Sequence, residues 1–249
     1  MTVKPNKVSI TKLGKQLQTN KLYKIGEILI LFISVYIFIK LIMPLAGDNS
    51  VLKQAVVWVA NILMLIYVWA GLKVRGESWK DFGLTLKPLS WREGFKMFLL
   101  SLLVFVLAVA GFIIGSVVMA NITGIPDNAD MSGYDYLKDN IGMLLLTLGG
   151  VYIVSSFGEE VIYRAFLINR ISELGQGTKK SIIIAIILSS IIFGLVHYDW
   201  GPMGIVQTAF MGLVLGICYI KLKKRLWILI IAHAYMDTIL IVQMYLASN

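Results

Sequence analysis

The chain has 249 residues, of which 58% are hydrophobic and 15% charged, with a net charge of +9 and a mean hydropathy of +0.80. This composition is too apolar for an ordinary soluble domain and indicates an integral membrane protein. The basic residues lie in short segments between apolar stretches, where they orient a membrane protein, so the excess charge does not indicate a nucleic-acid partner. The single cysteine, Cys218, excludes an intramolecular disulfide.

Residues 1–24 form a basic segment with six lysines and no acidic residue. Ile10, Leu13 and Leu17 recur at roughly helical spacing, so the segment is either a basic helix at the cytoplasmic interface or a disordered tail held near anionic lipid. It lacks a short apolar core followed by a small-residue cleavage site. The first apolar stretch is therefore interpreted as a retained span.

Seven apolar stretches follow, and a helix needs about 20 apolar residues to cross a bilayer. The predicted fold is all-α, a polytopic transmembrane helix bundle of about seven spans. Residues 25–139 hold the N-terminal transmembrane helices, and residues 140–249 hold the helices with the candidate site. The spans are predicted near residues 25–46, 52–72, 95–120, 140–168, 180–198, 203–221 and 226–246.

The loops alternate in charge, which predicts the orientation of the chain. Lysines and arginines gather in alternate loops, at 73–96, 170–180 and 221–225, whereas the loop 127–139 is acidic. Basic loops stay on the cytoplasmic side of a membrane. The pattern predicts a cytoplasmic N-terminus and an outside C-terminus, in a multi-pass protein of the cell membrane, which we expect to be a bacterial plasma membrane.

The most informative stretch is Gly158–Arg164, which places ionisable groups after a long apolar run. Such groups cost a few kcal/mol in hydrocarbon and need a partner or a purpose. Glu160 and Arg164 are four residues apart and share a helix face, so we expect an ion pair. Glu159 is rotated by about 100° and is the better candidate for chemistry. Alternatively, all three side chains reach the headgroups from the end of the span.

The chain contains only two histidines, and both lie in predicted spans. Phe193 lies one turn before His197 and is expected to pack against its ring, while Gly194 allows another helix to approach. The alternative is an aromatic interfacial belt around His197. His233 and Asp237 are also four residues apart. They can hold a metal, one can orient the other beside a reacting group, or they can form a self-satisfied buried pair.

Taken together, these residues supply carboxylates and two imidazoles from three helices. Such a set can bind a divalent metal, or it can activate a water molecule without one. Glu159, His197, His233 and Asp237 are therefore the candidate catalytic residues.

The three motifs also carry a family resemblance, over residues 140–240. The patterns Glu159-Glu160-x-x-x-Arg164, Phe193-x-x-x-His197 and His233-x-x-x-Asp237, in this order across apolar helices, resemble the CPBP family of intramembrane proteases (Abi-type), named for CAAX and bacteriocin processing. The family includes CAAX prenyl endopeptidases related to the Ras-converting enzyme, and bacterial relatives linked to bacteriocin self-immunity and peptide maturation.

The resemblance implies a helix bundle with a polar cavity in the bilayer, in which Glu159 and His197 activate a water for attack on a peptide carbonyl. His233 and Asp237 would stabilise the oxyanion or, in a metalloprotease, help to hold zinc. The metal ligands would then be His197, His233, Glu159 and Asp237, and metal-free catalysis stays open. Glu160, Arg164 and Phe193 would support the site.

Asp237 departs from the family pattern, because many members have asparagine at this place. An asparagine amide can donate a hydrogen bond to an oxyanion, whereas an ionised aspartate cannot. Asp237 is better suited to orienting His233 or to binding a cation.

The sequence thus predicts an intramembrane endopeptidase that acts on small membrane-associated peptides or on membrane proteins. Two alternatives stay open. One is a non-catalytic membrane protein, such as a bacteriocin-immunity factor or a scaffold, and it would tolerate the loss of His197. The other is an ion-coupled transporter, in which the buried glutamates bind protons or cations.

Overall fold

The structure is a computed structural model that describes residues 10–86, 88–124 and 132–247. The regular elements of the described residues are all helices, which confirms the all-α prediction. Residues Ile141–Leu174 form one continuous helical stretch with a π-helical middle part, and we call this stretch the site helix. The elements are α1 (Lys12–Thr19), α2 (Lys21–Ile42), α3 (Ser50–Arg75), α4 (Trp91–Thr123), α5 (Ile141–Val151), the π-helical segment (Tyr152–Leu167), α6 (Ile168–Leu174), α7 (Lys179–Leu195), α8 (Gly201–Lys221) and α9 (Leu226–Ala247). Short 3-10 helices lie at Met43–Ala46, Trp79–Phe82, Ser132–Leu137 and Tyr198–Trp200.

Polar residues between the apolar stretches set where several helices begin. The side chain of Asn49 accepts a hydrogen bond from the Leu52 amide at the start of α3, and Asn140 accepts one from the Met143 amide at the start of α5. Each such bond satisfies one of the amides that a helix leaves free in its first turn. Gly76 ends α3 in the left-handed conformation, with φ of 70°, which glycine adopts without strain.

Six helices in the described part of the chain are long and apolar enough to cross a membrane, so the chain is a multi-pass membrane protein. They are Lys21–Ala46, Ser50–Arg75, Trp91–Thr123, Ile141–Leu174, Tyr198–Lys221 and Leu226–Ala247, close to six of the predicted spans. The predicted span 180–198 corresponds to α7, which has 17 residues. At about 1.5 Å per residue, α7 is a few ångströms shorter than a hydrocarbon core of about 30 Å. The seven-span count and the cytoplasmic N-terminus stay predictions.

Part of the basic N-terminal segment is an ordered helix packed on the end of α3. Thr11 donates through Oγ1 to the Val74 carbonyl at 3.0 Å, and Gln18 donates to the Arg75 carbonyl at 2.7 Å. Gly14 makes the contact possible, because a Cβ there would lie 2.0 Å from the Val74 oxygen. Of the two alternatives for this segment, a helix is correct for Lys12–Thr19, while residues 1–9 lie outside the described residues.

The site helix lies at the centre of the bundle, where Val161 and Ile162 are fully buried. Glycines let the surrounding helices pack closely, as is common between membrane helices. A Cβ on Gly115 of α4 would lie 2.9 Å from Gln207 Cα of α8, and a Cβ on Gly194 of α7 would lie 2.5 Å from the Ile205 oxygen of α8. The close helix approach predicted at Gly194 is therefore present.

Two arginines that the charge pattern assigns to loops are buried in helices instead. Arg75 ends α3 and Arg170 lies in α6, and each is no more than 2% exposed. Both form ion pairs with glutamates. These are Glu27 of α2, Glu77 just after α3, and Glu173 of α6. The positive charge at these positions therefore joins helices together.

Candidate functional site

The predicted ion pair of Glu160 and Arg164 is present in the centre of the bundle. Arg164 Nη1 lies 3.2 Å from Glu160 Oε1, and the side chains of Arg164 and Glu160 are 1% and 0% exposed. Both residues lie in the π-helical segment, in which the backbone bonds run from residue i to i+5. The i,i+4 neighbours still meet in this wider turn. A buried charge needs a close partner, and each residue supplies one for the other.

His233 of α9 bonds to the same glutamate. Its Nδ1 lies 2.8 Å from Glu160 Oε1, and the residue is 3% exposed. An ionised carboxylate can only accept, so Nδ1 carries the proton of this bond. Glu160 therefore fixes the ring orientation of His233 and turns Nε2 towards Glu159 and Asp237. The sequence assigned this orienting role to Asp237, whereas the direct bond comes from Glu160.

Glu159 has looser contacts than Glu160. Its Oε2 lies 3.8 Å from His233 Nε2, beyond hydrogen-bond distance, and its side chain is 16% exposed. The charged groups within electrostatic reach are His197, His233, Asp237 and Arg164. Glu159 is thus a carboxylate among ionisable groups of both signs, and in the described part of the chain no short hydrogen bond holds it in place.

Asp237 lies on the same side of α9 as His233, as the spacing predicted. Its Oδ1 is 3.7 Å from His233 Nε2, and its Oδ2 accepts a 2.6 Å hydrogen bond from Ser156 Oγ. The short bond to Ser156 holds the carboxylate, because a hydroxyl bonded to an ionised oxygen at this distance is a strong donor.

Sequence reasoning missed Ser155 and Ser156. Ser155 Oγ lies 3.4 Å from His233 Nε2 and 3.4 Å from Asp237 Oδ1. The signal that could have identified them is their position, because each precedes one of the two glutamates by four residues on the same helix. We call Ser155, Ser156, Glu159, Glu160, Arg164, His233 and Asp237 the site cluster.

Phe193 lies between the two histidines and contacts both rings. The ring centroids of Phe193 and His197 are 4.9 Å apart, and those of Phe193 and His233 are 6.5 Å apart. The guanidinium of Arg164 lies 4.1 Å from the Phe193 centroid on the ring face. The predicted packing of Phe193 on His197 is therefore present.

His197 lies just beyond the end of α7, not within a span as the sequence indicated. α7 ends at Leu195, and His197 precedes the short helix Tyr198–Trp200. Its Nδ1 is 2.7 Å from the Phe193 carbonyl oxygen, which can only accept, so Nδ1 carries a proton and Nε2 is free. Trp200 packs on its other side, with ring centroids 5.0 Å apart. His197 therefore has the aromatic neighbours of an interfacial belt. It also has the free nitrogen that a base needs.

The side chains of the site cluster do not converge as the ligands of a zinc site do. Two carboxylates approach one histidine nitrogen, but across the described ranges no group of three or more His, Cys, Asp or Glu side chains is placed to hold a metal ion. Zinc sites use three or four protein ligands. The side chains in these positions do not fit zinc, and zinc stays a prediction from the resemblance.

Comparison with known proteins supports the resemblance over the site region. Residues 141–239 match the family model described as Type II CAAX prenyl endopeptidase Rce1-like. A curated protein of Bacillus subtilis (strain 168), named "Putative membrane peptidase YdiL", is 33% identical over 90 residues, which are 36% of this chain and 34% of that protein. The chain therefore spans about a third of that relative's length in the match. No solved structure matches the chain significantly.

The matched segment contains the site helix, α7, α8 and the part of α9 that carries His233 and Asp237. All the motifs that carried the resemblance thus fall inside it. Residues 141–239 of this multi-pass membrane protein are thus similar to the Rce1-like CAAX prenyl endopeptidases.

Proposed function

We propose that the protein is an intramembrane endopeptidase that hydrolyses peptide bonds in small membrane-associated peptides or membrane proteins. The observation that carries the proposal is the position of Glu159, a partly exposed carboxylate beside His233 in an otherwise buried polar cluster. Ionisable groups buried within membrane helices are costly, and they commonly mark functional sites. The family match over the same residues supports this choice.

In the proposed reaction Glu159 acts as the general base. A water molecule between Glu159 and the substrate gives one proton to the carboxylate while its oxygen bonds to the peptide carbonyl carbon. The proton then passes to the amine nitrogen as the carbon–nitrogen bond breaks. The free Nε2 of His197 holds the water by accepting its second hydrogen, because Nδ1 is bonded to the Phe193 carbonyl.

Glu160, Arg164 and Phe193 act by holding the reacting groups in place. Glu160 fixes His233, Arg164 neutralises Glu160, and the Phe193 ring spaces the two imidazoles. A misplacement of about 1 Å can cost a hundredfold in rate, so such support contributes directly to catalysis.

The substrate proposal follows from the membrane position. If the host is bacterial, a bacteriocin precursor or a signalling peptide is a better candidate than a prenylated CAAX protein. Such peptides are short, and one apolar segment is enough to bring them to the bilayer.

The direct test is peptide profiling by mass spectrometry in cells that carry the wild type or the Glu159→Ala variant, followed by cleavage of the identified peptide in proteoliposomes. We expect products that depend on Glu159. Asp48→Asn, at an exposed loop carboxylate, is the control and should cleave normally. Full cleavage by the Glu159→Ala protein would sink the mechanism, and a folded wild type without any cleavage would favour the non-catalytic alternative.

A further inference from the structure

The proposed reaction places a negative charge on the substrate's carbonyl oxygen, and an enzyme stabilises that charge with hydrogen-bond donors. Three carboxylates dominate the site cluster: Glu159, Glu160 and Asp237. Ionised carboxylates only accept hydrogen bonds. The side chains of the cluster that can donate are Ser155, Ser156, His233 and Arg164.

Most of the donors are already committed. Ser156 is 1% exposed and gives its proton to Asp237 at 2.6 Å. The Nδ1 proton of His233 goes to Glu160, and Nε2 faces the carboxylates of Glu159 and Asp237. The bond to Asp237 would have to break before Ser156 could serve a substrate, and the bond to Glu160 before Nδ1 of His233 could. The Nε2 of His233 lies between two carboxylates, 3.8 Å from Glu159 and 3.7 Å from Asp237, which attract any proton that it carries.

Arg164 is out of reach for a different reason. Its side chain is 1% exposed, it pairs with Glu160, and the Phe193 ring covers the guanidinium at 4.1 Å. A substrate carbonyl cannot reach these nitrogens without displacing the ring.

Ser155 is the exception among these side chains. Its two contacts are 3.4 Å long, whereas a good hydroxyl hydrogen bond is about 2.7–2.8 Å. The residue is partly exposed, and a hydroxyl rotates freely to suit a new partner. Because Ser155 precedes Glu159 by one helical turn, both side chains face the same side of the site helix.

We propose that the Ser155 hydroxyl donates the hydrogen bond that stabilises the oxyanion during peptide hydrolysis. This inference rests on the proposed function. Ser155 releases its weak contact with Asp237, turns its proton to the carbonyl oxygen as the water attacks, and returns when the products leave. Its oxygen forms no covalent bond, and the transferred proton passes from the water through Glu159 to the amine nitrogen.

The test compares three serine variants in proteoliposomes with a peptide that the wild type cleaves. Ser155→Ala should lower kcat by about 10²–10³-fold with little change in KM, since the bond forms only in the transition state. Ser155→Thr keeps a hydroxyl and should restore most of the activity. Ser190→Ala is the matched control, because it removes a buried hydroxyl that bonds the Ile186 carbonyl of its own helix at 2.7 Å, and its kcat should stay at the wild-type value.

Several outcomes overturn the inference. A Ser155→Ala enzyme with wild-type kcat would show that the hydroxyl does not contribute, while Glu159→Ala would still report on the proposed function by itself. Failure of Ser155→Thr to restore activity in a folded protein would indicate a packing role. Labelling of Ser155 by a fluorophosphonate, or an acyl adduct on it in the mass spectrum, would make it a nucleophile instead.

Discussion

Two groups of charged residues each include members of the site helix, and they differ in how tightly those members are held. One is the site cluster. The other, which we call the ion-pair cluster, consists of Glu27, Arg75, Glu77, Arg170 and Glu173. Here Arg75 lies 2.9 Å from both Glu27 and Glu77, while Arg170 lies 2.5 Å from Glu77 and 2.8 Å from Glu173.

The site cluster is held less evenly. Glu160 lies 2.8 Å from His233 Nδ1 and Asp237 accepts a 2.6 Å hydrogen bond from Ser156, but Glu159 stands 3.8 Å from His233. Similar residue types thus make different contacts in the two clusters. Short, repeated ion pairs join helices in the ion-pair cluster, whereas the looser contact of Glu159 fits its proposed part in proton transfer.

The largest expected effect separates the two clusters by activity. Glu159→Gln keeps the size of the side chain but removes the base, so we expect kcat to fall by about 10³-fold or more while thermal unfolding in detergent stays unchanged. Asp48→Asn controls for the loss of a carboxylate. A Glu159→Gln protein that is active but unstable would place Glu159 with the structural charges and break the comparison.

The second prediction separates the clusters by stability. Arg75→Leu removes the 2.9 Å partner of the buried Glu27, which keeps Arg170 at 3.6 Å, and should lower the free energy of unfolding by about 3–5 kcal/mol. Lys73→Leu is the matched control, because Lys73 is exposed in the same turn of α3. Chemical unfolding in micelles measures both. An unchanged stability in Arg75→Leu would show that the ion-pair cluster does not join these helices.

A smaller effect is expected at Phe193, which supports the site without reacting. Phe193→Leu loses the ring contacts with Arg164 and both imidazoles and should cost about 1–2 kcal/mol of stability. Without the ring to position it, the His197 imidazole is held less precisely, so kcat should fall about tenfold. Kinetics and unfolding are measured on the same preparation. A full loss of activity would mean that the ring does more than position the histidines.

The smallest effect is expected from removal of metal. Catalytic zinc sites use three protein ligands, and the described side chains do not form such a group. A chelator should therefore change kcat by less than about twofold. Activity is measured before and after dialysis against the chelator and then with added zinc. Loss with chelator and recovery with zinc would support the metalloprotease alternative and overturn the metal-free route.

The sequence predicted what depends on local spacing. The pairs Glu160–Arg164 and Phe193–His197 are four residues apart, so helix geometry alone brings them together, and the structure confirms both contacts. Six of the predicted spans follow in the same way from the length of their apolar runs. The roles assigned to Glu159, His197, His233 and Asp237 stay predictions.

Contacts across long sequence separations could not be predicted. Arg75 meets Glu27 and Glu173, which are 48 and 98 residues away, and a charge count at a loop does not reveal such partners. The bond from Glu160 to His233, 73 residues away, has the same origin. The π-helical segment has no spacing signal of its own in the sequence.

The Phe193 ring also makes the histidines accessible to spectroscopy. The chain has two histidines in 249 residues, so a protein labelled with ¹⁵N-histidine gives two imidazole spin systems. Both rings lie within 6.5 Å of the Phe193 centroid, and its ring current shifts their proton resonances by an amount that falls steeply with distance and depends on the angle to the ring. The nitrogen shifts report which nitrogen carries the proton. The protonation of Nδ1 in His197 and in His233 can therefore be measured separately for each residue.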